Sequence, residues 1–541
     1  MRSGTAARLN LIYPAVLVLV VLFLFLTGAP TGDAFSWPDS PRHALNGAFV
    51  LDFVRDHPFR QPTAYALNYY AKYPALTILF YPPLFYVLLA VFYGLFGVSQ
   101  TVALAAEFFC YAALAIGAYR LARFWLSPTL AFGASLVLVG APEITYWGRQ
   151  VMLEMPAFAL LTWSAVFFMR YRGERRIGWL YVAVALAILA MYVKLTAAFI
   201  LVVYLISLLH ARGKDLLRDR HSYIIAVLAV VSIIPLAVLT LKFGQANIQS
   251  VGGIADAEVS RASISGWMWY ARKFPEQIGW PALLAAIAGL AAIGVRRKRI
   301  TDHLFLLLWL AVGYVFFSAI DLKEVRHSIV LIFPLAVMAA IGIQQVLSRW
   351  PQAAGPAIVA IGLSTVMITF LYRPVQYVAG YKEISDYVAT VAPRNSVVVF
   401  SGYRDGSFIF AMRTHEERRD LSTVRADKLL LKISVRRSLG VEQKLMSHGE
   451  IASMLDNLGA AYVVAQTGFW TDLEAMKRLE EVLHSDHFKQ VRSFPMKANY
   501  HAQESEIVVY KNLGHVAQGP INLNIEIPMI NRTISGVVGK H

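Results

Sequence analysis

Cysteine is almost absent: Cys110 is the only one in 541 residues, which excludes an intramolecular disulfide and any cysteine-built metal site. Charge is scarce too, at 16% of residues against 57% hydrophobic. No G-x-x-x-x-G-K-[ST], G-x-G-x-x-G or H-E-x-x-H pattern occurs, so nucleotide hydrolysis, dinucleotide chemistry and zinc proteolysis have no sequence support. Acidic residues are outnumbered, 34 Asp and Glu against 50 Lys and Arg, for a net charge of +16. The basic residues fall in short clusters between apolar runs, with no basic and aromatic stripe, so the excess reads as membrane topology and not as nucleic-acid binding.

What is present is hydrophobic length, the mark of a polytopic membrane protein. Spans of roughly 17 to 25 residues fall near residues 10–28, 101–122, 129–147, 156–169, 178–192, 196–209, 222–241, 280–295, 303–320, 328–347 and 355–372. The first run has no small-residue cleavage site and more spans follow it, so it reads as a retained anchor helix. Basic clusters at 170–176, 210–220 and 296–299 are expected on the cytoplasmic side, with the N-terminus. That assignment turns outward the connections at Glu154 and Lys194, the loop 242–279, the loop 321–327 and everything after residue 373. The stretch 80–97 begins with Pro82 and Pro83 and is rich in Phe and Tyr, as suits a helix lying in the interface without crossing.

Several ionisable groups then share the external ends of spans: Asp39, Glu154, Lys194 and the run Lys323, Glu324, Arg326, His327. Each has a bland reading. Asp39 in "SWPDSPRHALN" has the form of a helix cap followed by proline. Glu154 precedes Pro156 at a helix start that favours a carboxylate, and Lys194, Lys323 and Arg326 have the form of snorkelling boundary residues. The loop near 320–328 is too short to hide two cations, a carboxylate and a histidine from neighbouring helix ends. Acids and bases collected on one face point to a site of carboxylates plus cations.

In this order the motifs resemble the GT-C superfamily of membrane glycosyltransferases, in particular the branch of protein O-mannosyltransferases and the lipid A aminoarabinose transferase. The marks, over residues 10–372, are Asp39 in the first external loop, "YPPLFYVL" at 81–88, "VMLEMPAF" at 151–158, "VKLT" at 193–196 and "KEVRHSIVLIFPLA" at 323–336. The resemblance implies a GT-C-like domain over 1–372 with about 11 transmembrane helices, an external loop 29–100 carrying juxtamembrane helices, and the 82–97 stretch as one of them. It implies a glycosyltransferase, inverting, that moves a hexosyl or pentosyl group from a polyprenyl-phosphate-linked donor to a glycan, lipid or protein acceptor outside the cytoplasm. Asp39 and Glu154 are then the expected catalytic residues, Asp39 taking the proton of the acceptor hydroxyl. Arg42, His43, Lys72, Tyr81, Arg149, Lys194, Lys323, Arg326 and His327 are the expected substrate-binding residues, the cations facing the donor phosphate. Relatives often carry Lys where Tyr81 stands, and Asp-Glu where Asp39 is followed by Ser40. No metal ligands are assigned, and no cofactor is certain, with a divalent metal ion left open.

From residue 374 the pattern changes to short β-rich runs, "SVVVF", "AYVVAQ" and "SEIVVYK", between helical ones such as "YKEISDYVATV" and "LEAMKRLEEVLHS". This reads as a soluble α/β domain over 373–541, periplasmic or extracellular, without a convincing catalytic set and with roughly 25 irregular residues at its end. The expected location is the bacterial inner membrane, in the cell envelope. A transporter or flippase for polyprenyl-linked glycans is the main alternative; it predicts ionisable residues near the midplane and similar halves with broken helices.

Overall fold

Apolar runs of this length become helices because lipid offers the backbone no hydrogen-bond partner, so each peptide group is satisfied inside its own segment. The computed structural model of the chain describes residues 2–27, 30–33, 35–244, 248, 251, 259–295, 297–433, 437, 440–527 and 532–539; part of the predicted external loop 242–279 lies outside them. The chain divides into two units. The first comprises Met1–Gly28, Leu79–Phe85 and Ala105–Val375, the second Ala29–Ile78, Tyr86–Leu104 and Gln376–His541.

The first unit is helical. Among the described residues six helices are long and apolar enough to cross a membrane: Arg8–Leu26, Gln100–Ala122, Leu195–Arg218, Arg220–Phe243, Val325–Val346 and Pro351–Tyr372. A seventh span is the pair Pro128–Gly140 and Pro142–Gly148, bent by 63° where Pro142 interrupts the ladder. The expected count of about 11 is therefore not reached by length and composition. The difference lies in short apolar helices such as Ile177–Met191, Trp280–Gly294 and Leu304–Ser318, of 15 residues each, which reach only about 22 Å at 1.5 Å per residue. Leu84–Phe96 is shorter still, at 13 residues, in keeping with a helix that does not cross. Small residues let helices close up: a Cβ on Gly289 would stand 1.9 Å from the Met338 carbonyl oxygen, and one on Gly342 1.9 Å from that of Ala285.

The second unit is built on a five-stranded sheet. Val397–Ser401 lies between Ser422–Arg425 and Ala460–Gln466, parallel to both, and Glu506–Asn512 and Phe488–Pro495 extend the sheet antiparallel beyond Ala460–Gln466. The inner strands are buried along their whole length, as parallel strands covered on both faces must be. One face packs on Tyr381–Val391 and Asp405–Arg413, through Ile384, Val388, Phe408 and Met412. The other packs on His448–Asn457 and Glu474–Leu483, through Ile451, Leu455, Met476 and Leu479.

The end of the chain is not irregular. Ile521–Ile527 and Arg532–Val538 pair as an antiparallel hairpin, whose Leu523, Ile525, Ile534 and Val538 join the second face's core. The alternation in "INLNIEI" is the period of a half-buried strand.

The loop after the first span folds with this second unit as two helices, Ser40–Asp56 and Pro62–Lys72. Asp52 and Arg413, both with fully buried side chains, form an ion pair, with Arg413 Nε 2.7 Å from Asp52 Oδ2. Asp405 takes both oxygens to Arg42 at 2.9 Å, and Asp56 pairs with Arg419 at 2.7 Å. The Asn68 side chain accepts a hydrogen bond from Val537 N in the terminal hairpin, at 3.0 Å. Gly406 permits the close approach of Asp405–Arg413 to the first turn of Ser40–Asp56, since a Cβ there would meet Pro41 Cγ at 3.0 Å.

Candidate active site

In the first unit, breaks between helices deliver charge to one place. Glu154 is the first residue of the helix Glu154–Glu174, with Pro156 fixing the entry turn. Lys194 stands in extended conformation between the helix Ile177–Met191 and the tight turn Leu195–Ala198. Arg326 and His327 sit in the 3-10 turn Val325–Leu331 that leads into Ile332–Val346. Three segments far apart in sequence thus meet through their ends, where a polar side chain interrupts no apolar face.

Glu154 is 4% exposed. Its Oε1 accepts a hydrogen bond from Lys194 Nζ at 2.7 Å and lies 3.6 Å from Arg326 Nε. Arg326 also pairs with Glu324, and His327 Nε2 stands 3.8 Å from that carboxylate. The Arg326 guanidinium lies 5.4 Å from the Trp147 ring centroid, and Trp147 donates to Glu143 at 2.9 Å. Among the described residues Glu154 Oε2 is buried and has no hydrogen-bond partner. Two carboxylates thus face two cations, and one oxygen of the deeper acid is left with capacity. A small cleft opens here, lined by Glu154, Lys194, Arg326 and His327 together with apolar Leu161, Phe199 and Phe317. Such a lining suits a charged group attached to an apolar tail: the cations take the charge and the rest of the wall takes hydrocarbon.

The other predicted residues of this unit lie differently. Lys323 donates to the carbonyls of Ser318, at 2.7 Å, and Ile320, so it caps the end of Leu304–Ser318 and burial holds its pKa below the usual lysine value. Arg149 is buried with its guanidinium 4.7 Å from the Phe25 ring centroid. Tyr81 is partly exposed in the turn before Leu84–Phe96. Sequence reasoning missed Glu107, which is fully buried in Gln100–Ala122 and interacts with Glu154 and the Met152 backbone. Its signal was a lone acid inside an apolar run.

In the second unit, Asp39 occupies the N-cap of Ser40–Asp56, where its carbonyl accepts from His43 N at 2.9 Å. Its carboxylate makes no capping hydrogen bond, so the cap reading of that side chain does not hold. His43 is buried and hydrogen-bonded through Nδ1 to Tyr86 OH at 2.8 Å. Lys72 donates to the Arg419 carbonyl, and burial, then the neighbouring Arg419, pull its pKa down to about 8. Among the described residues no three His, Cys, Asp or Glu side chains converge to hold a metal ion, so no metal is assigned to any of them.

Residues 81–238 match the family model of dolichyl-phosphate-mannose-protein mannosyltransferases. The chain is similar over most of its length to ArnT from Cupriavidus metallidurans bound to undecaprenyl phosphate, with a TM-score of 0.61 at 14% identity, covering 94% of this chain and 99% of that one. The chain has the fold of ArnT. The oligosaccharyltransferase of Archaeoglobus fulgidus is similar too, as solved with Zn and sulfate, with a TM-score of 0.56 at 11% identity over 84% of this chain and 68% of that one. The same organism's AglB, solved with an inhibitory peptide and a dolichol-phosphate, gives 0.55 at 11% identity over 92% and 75%. No curated protein matches.

Proposed function

We propose that this chain is a GT-C glycosyltransferase that moves a sugar from a polyprenyl-phosphate donor to an acceptor on the external face of the membrane. The observation that carries the reading is the pairing of Lys194 and Arg326 with buried Glu154 at a cleft whose remaining wall is largely apolar. A lipid phosphate needs cations at headgroup depth, and both arise here at helix ends. Likeness in fold to ArnT bound to undecaprenyl phosphate and to AglB with dolichol-phosphate supports a lipid-phosphate ligand.

In this reading Lys194 and Arg326 neutralise the leaving phosphate and hold it through charge-assisted bonds. Glu154 orients both cations and, together with Glu324, balances their charge. Asp39 takes the acceptor proton as the hydroxyl attacks the anomeric carbon, with inversion, an assignment that rests on the family resemblance. Purified chain in nanodiscs, offered a panel of radiolabelled polyprenyl-phosphate sugars and envelope acceptors, should transfer label from at least one donor. Transfer from none of them, alongside movement of the intact lipid across the bilayer, would favour the flippase alternative.

A further inference from the structure

In the second unit the connections of two neighbouring parallel strands diverge. The chain leaves the carboxyl end of Val397–Ser401 for Asp405–Arg413 on one face of the sheet, and leaves that of Ala460–Gln466 for Glu474–Leu483 on the other. Diverging connections open a crevice, and open α/β sheets bind ligands at such switch points. A small cleft lies there, lined by Ser401, Gln466, Thr467 and Phe469 among others. The two loops also bring three rings together, Tyr403 from the first and Phe469 and Trp470 from the second. Phe469 stacks on Trp470 with centroids 4.5 Å apart, and Tyr403 stands at 87° to Phe469 and 86° to Trp470, 4.9 and 6.3 Å away. Gln466 ties the loops by accepting from Tyr403 N at 3.3 Å. Trp470 has a φ of 54°, a left-handed conformation that a bulky residue adopts only under strain.

Core packing does not use all of this. Tyr403 is 37% exposed, although two other rings fix its orientation. Ser401 is 5% exposed and lines the cleft, and among the described residues neither its hydroxyl nor that of Thr467 makes a hydrogen bond, where a buried hydroxyl normally has a partner. The charges nearby are already matched: Arg404 with Glu504 at 2.8 Å, Arg437 with Asp472, and Glu480 with Gly468 N at 3.1 Å. An exposed aromatic ring beside unbonded hydroxyls, with the charges satisfied, fits a neutral ligand that has apolar faces and a hydroxylated edge. We propose that Tyr403, Ser401 and Thr467 bind a sugar ring of a neutral glycan, the ring lying on Tyr403 and one hydroxyl or hydroxymethyl group entering the cleft at Ser401. Phe469 and Trp470 hold the Tyr403 ring in place. On the transferase reading that glycan is the acceptor; the sugar site itself does not rest on that reading.

The test is saturation-transfer NMR and calorimetry on the full chain in nanodiscs with maltotriose, chitotriose and mannotriose, and with glycerol as the acyclic control. At least one trisaccharide should bind and glycerol should not. Tyr403→Ser should weaken that binding about 2- to 10-fold, the size of one aromatic contact, and Ser401→Ala should weaken it about 2- to 10-fold, the size of one hydrogen bond. Tyr403→Phe keeps the ring and should retain the affinity, which separates stacking from a loss of fold. Wild-type affinity in Tyr403→Ser would overturn the proposal, as would binding of none of the trisaccharides. So would displacement of the bound trisaccharide by polyprenyl phosphate, which would put the sugar at the Glu154 cleft. Tyr403-dependent binding by a chain that transfers from no donor would remove the transferase reading and leave the sugar site standing.

Discussion

If the proposed reading holds, Glu154 and a lipid phosphate compete for the same two cations, and that competition has a size. Lys194 Nζ stands 2.7 Å from Glu154 Oε1 and Arg326 Nε 3.6 Å from it. A hydrogen bond to a charged group contributes about 1.5–3 kcal/mol net. A phosphate that takes over Lys194 must displace that bond, and its measured affinity is lowered accordingly. Glu154→Gln keeps the side chain's shape and an oxygen for Lys194 but removes the competing charge. Polyprenyl phosphate should then bind about 10- to 100-fold more tightly, at 1.4 kcal/mol per decade. Turnover at saturating donor should fall, because a phosphate bound more tightly before and after transfer raises the barrier instead of lowering it. Lys194→Met should move affinity the other way by a similar factor. Binding of radiolabelled polyprenyl phosphate to each variant in nanodiscs, with turnover measured beside it, reads both quantities. Unchanged or weaker lipid binding in correctly folded Glu154→Gln would refute the competition and with it the phosphate role of Lys194.

Asp39→Asn keeps the side chain's size and one of its oxygens, so it should cost little stability, yet it should lower turnover about 100- to 10,000-fold if Asp39 is the general base; near-normal turnover at saturating donor would remove it from catalysis. Arg413→Met leaves the fully buried Asp52 without its main partner and should destabilise the second unit by about 3–5 kcal/mol, seen as a lower Tm, with Asp52→Leu added to it recovering much of the loss. Asp33 accepts from Gly380 N and Lys382 N at 2.7 and 2.9 Å, and burial pushes its pKa up from 3.8 to about 6. The folded chain therefore keeps a proton between those values that the unfolded chain has lost, so this group's contribution to stability declines as pH rises from about 4 to 6. Asp33→Asn should flatten that part of a Tm-against-pH profile.

The polar half of the first unit was readable because cost confines charge to helix ends: Glu154, Lys194, Arg326 and His327 each interrupt an apolar run, and the runs themselves dictate which ends share a side. Glu324 was visible in the same run, though not as the partner that neutralises Arg326. Lys323 looked equivalent to Arg326, but carbonyls at a helix end claimed it, and nothing in a sequence says which carbonyl a lysine will find. The second unit's strands were legible from their β-branched runs, and the terminal hairpin was legible too, in the apolar and polar alternation of "INLNIEI", a signal that the expectation of an irregular end left unused. Arg42 was legible as a cation and illegible as an ion pair, since Asp405 stands 363 positions away. Pairing over such a distance follows from tertiary structure, which no local pattern encodes.

The loop helices of residues 40–72 are settled by partners made much later. Asp52 waits for Arg413, 361 residues further on, and at synthesis rates of roughly 5–20 residues per second that interval is about 20 to 70 s. During it Asp52, Arg42 and Asp56 have none of their eventual counter-charges yet made, and the hairpin that Asn68 meets is made later still. The loop thus acquires its final shape only after Arg413 and the hairpin have been made. A nascent chain released early would carry its membrane helices while the segment holding Asp39 had still to find its place.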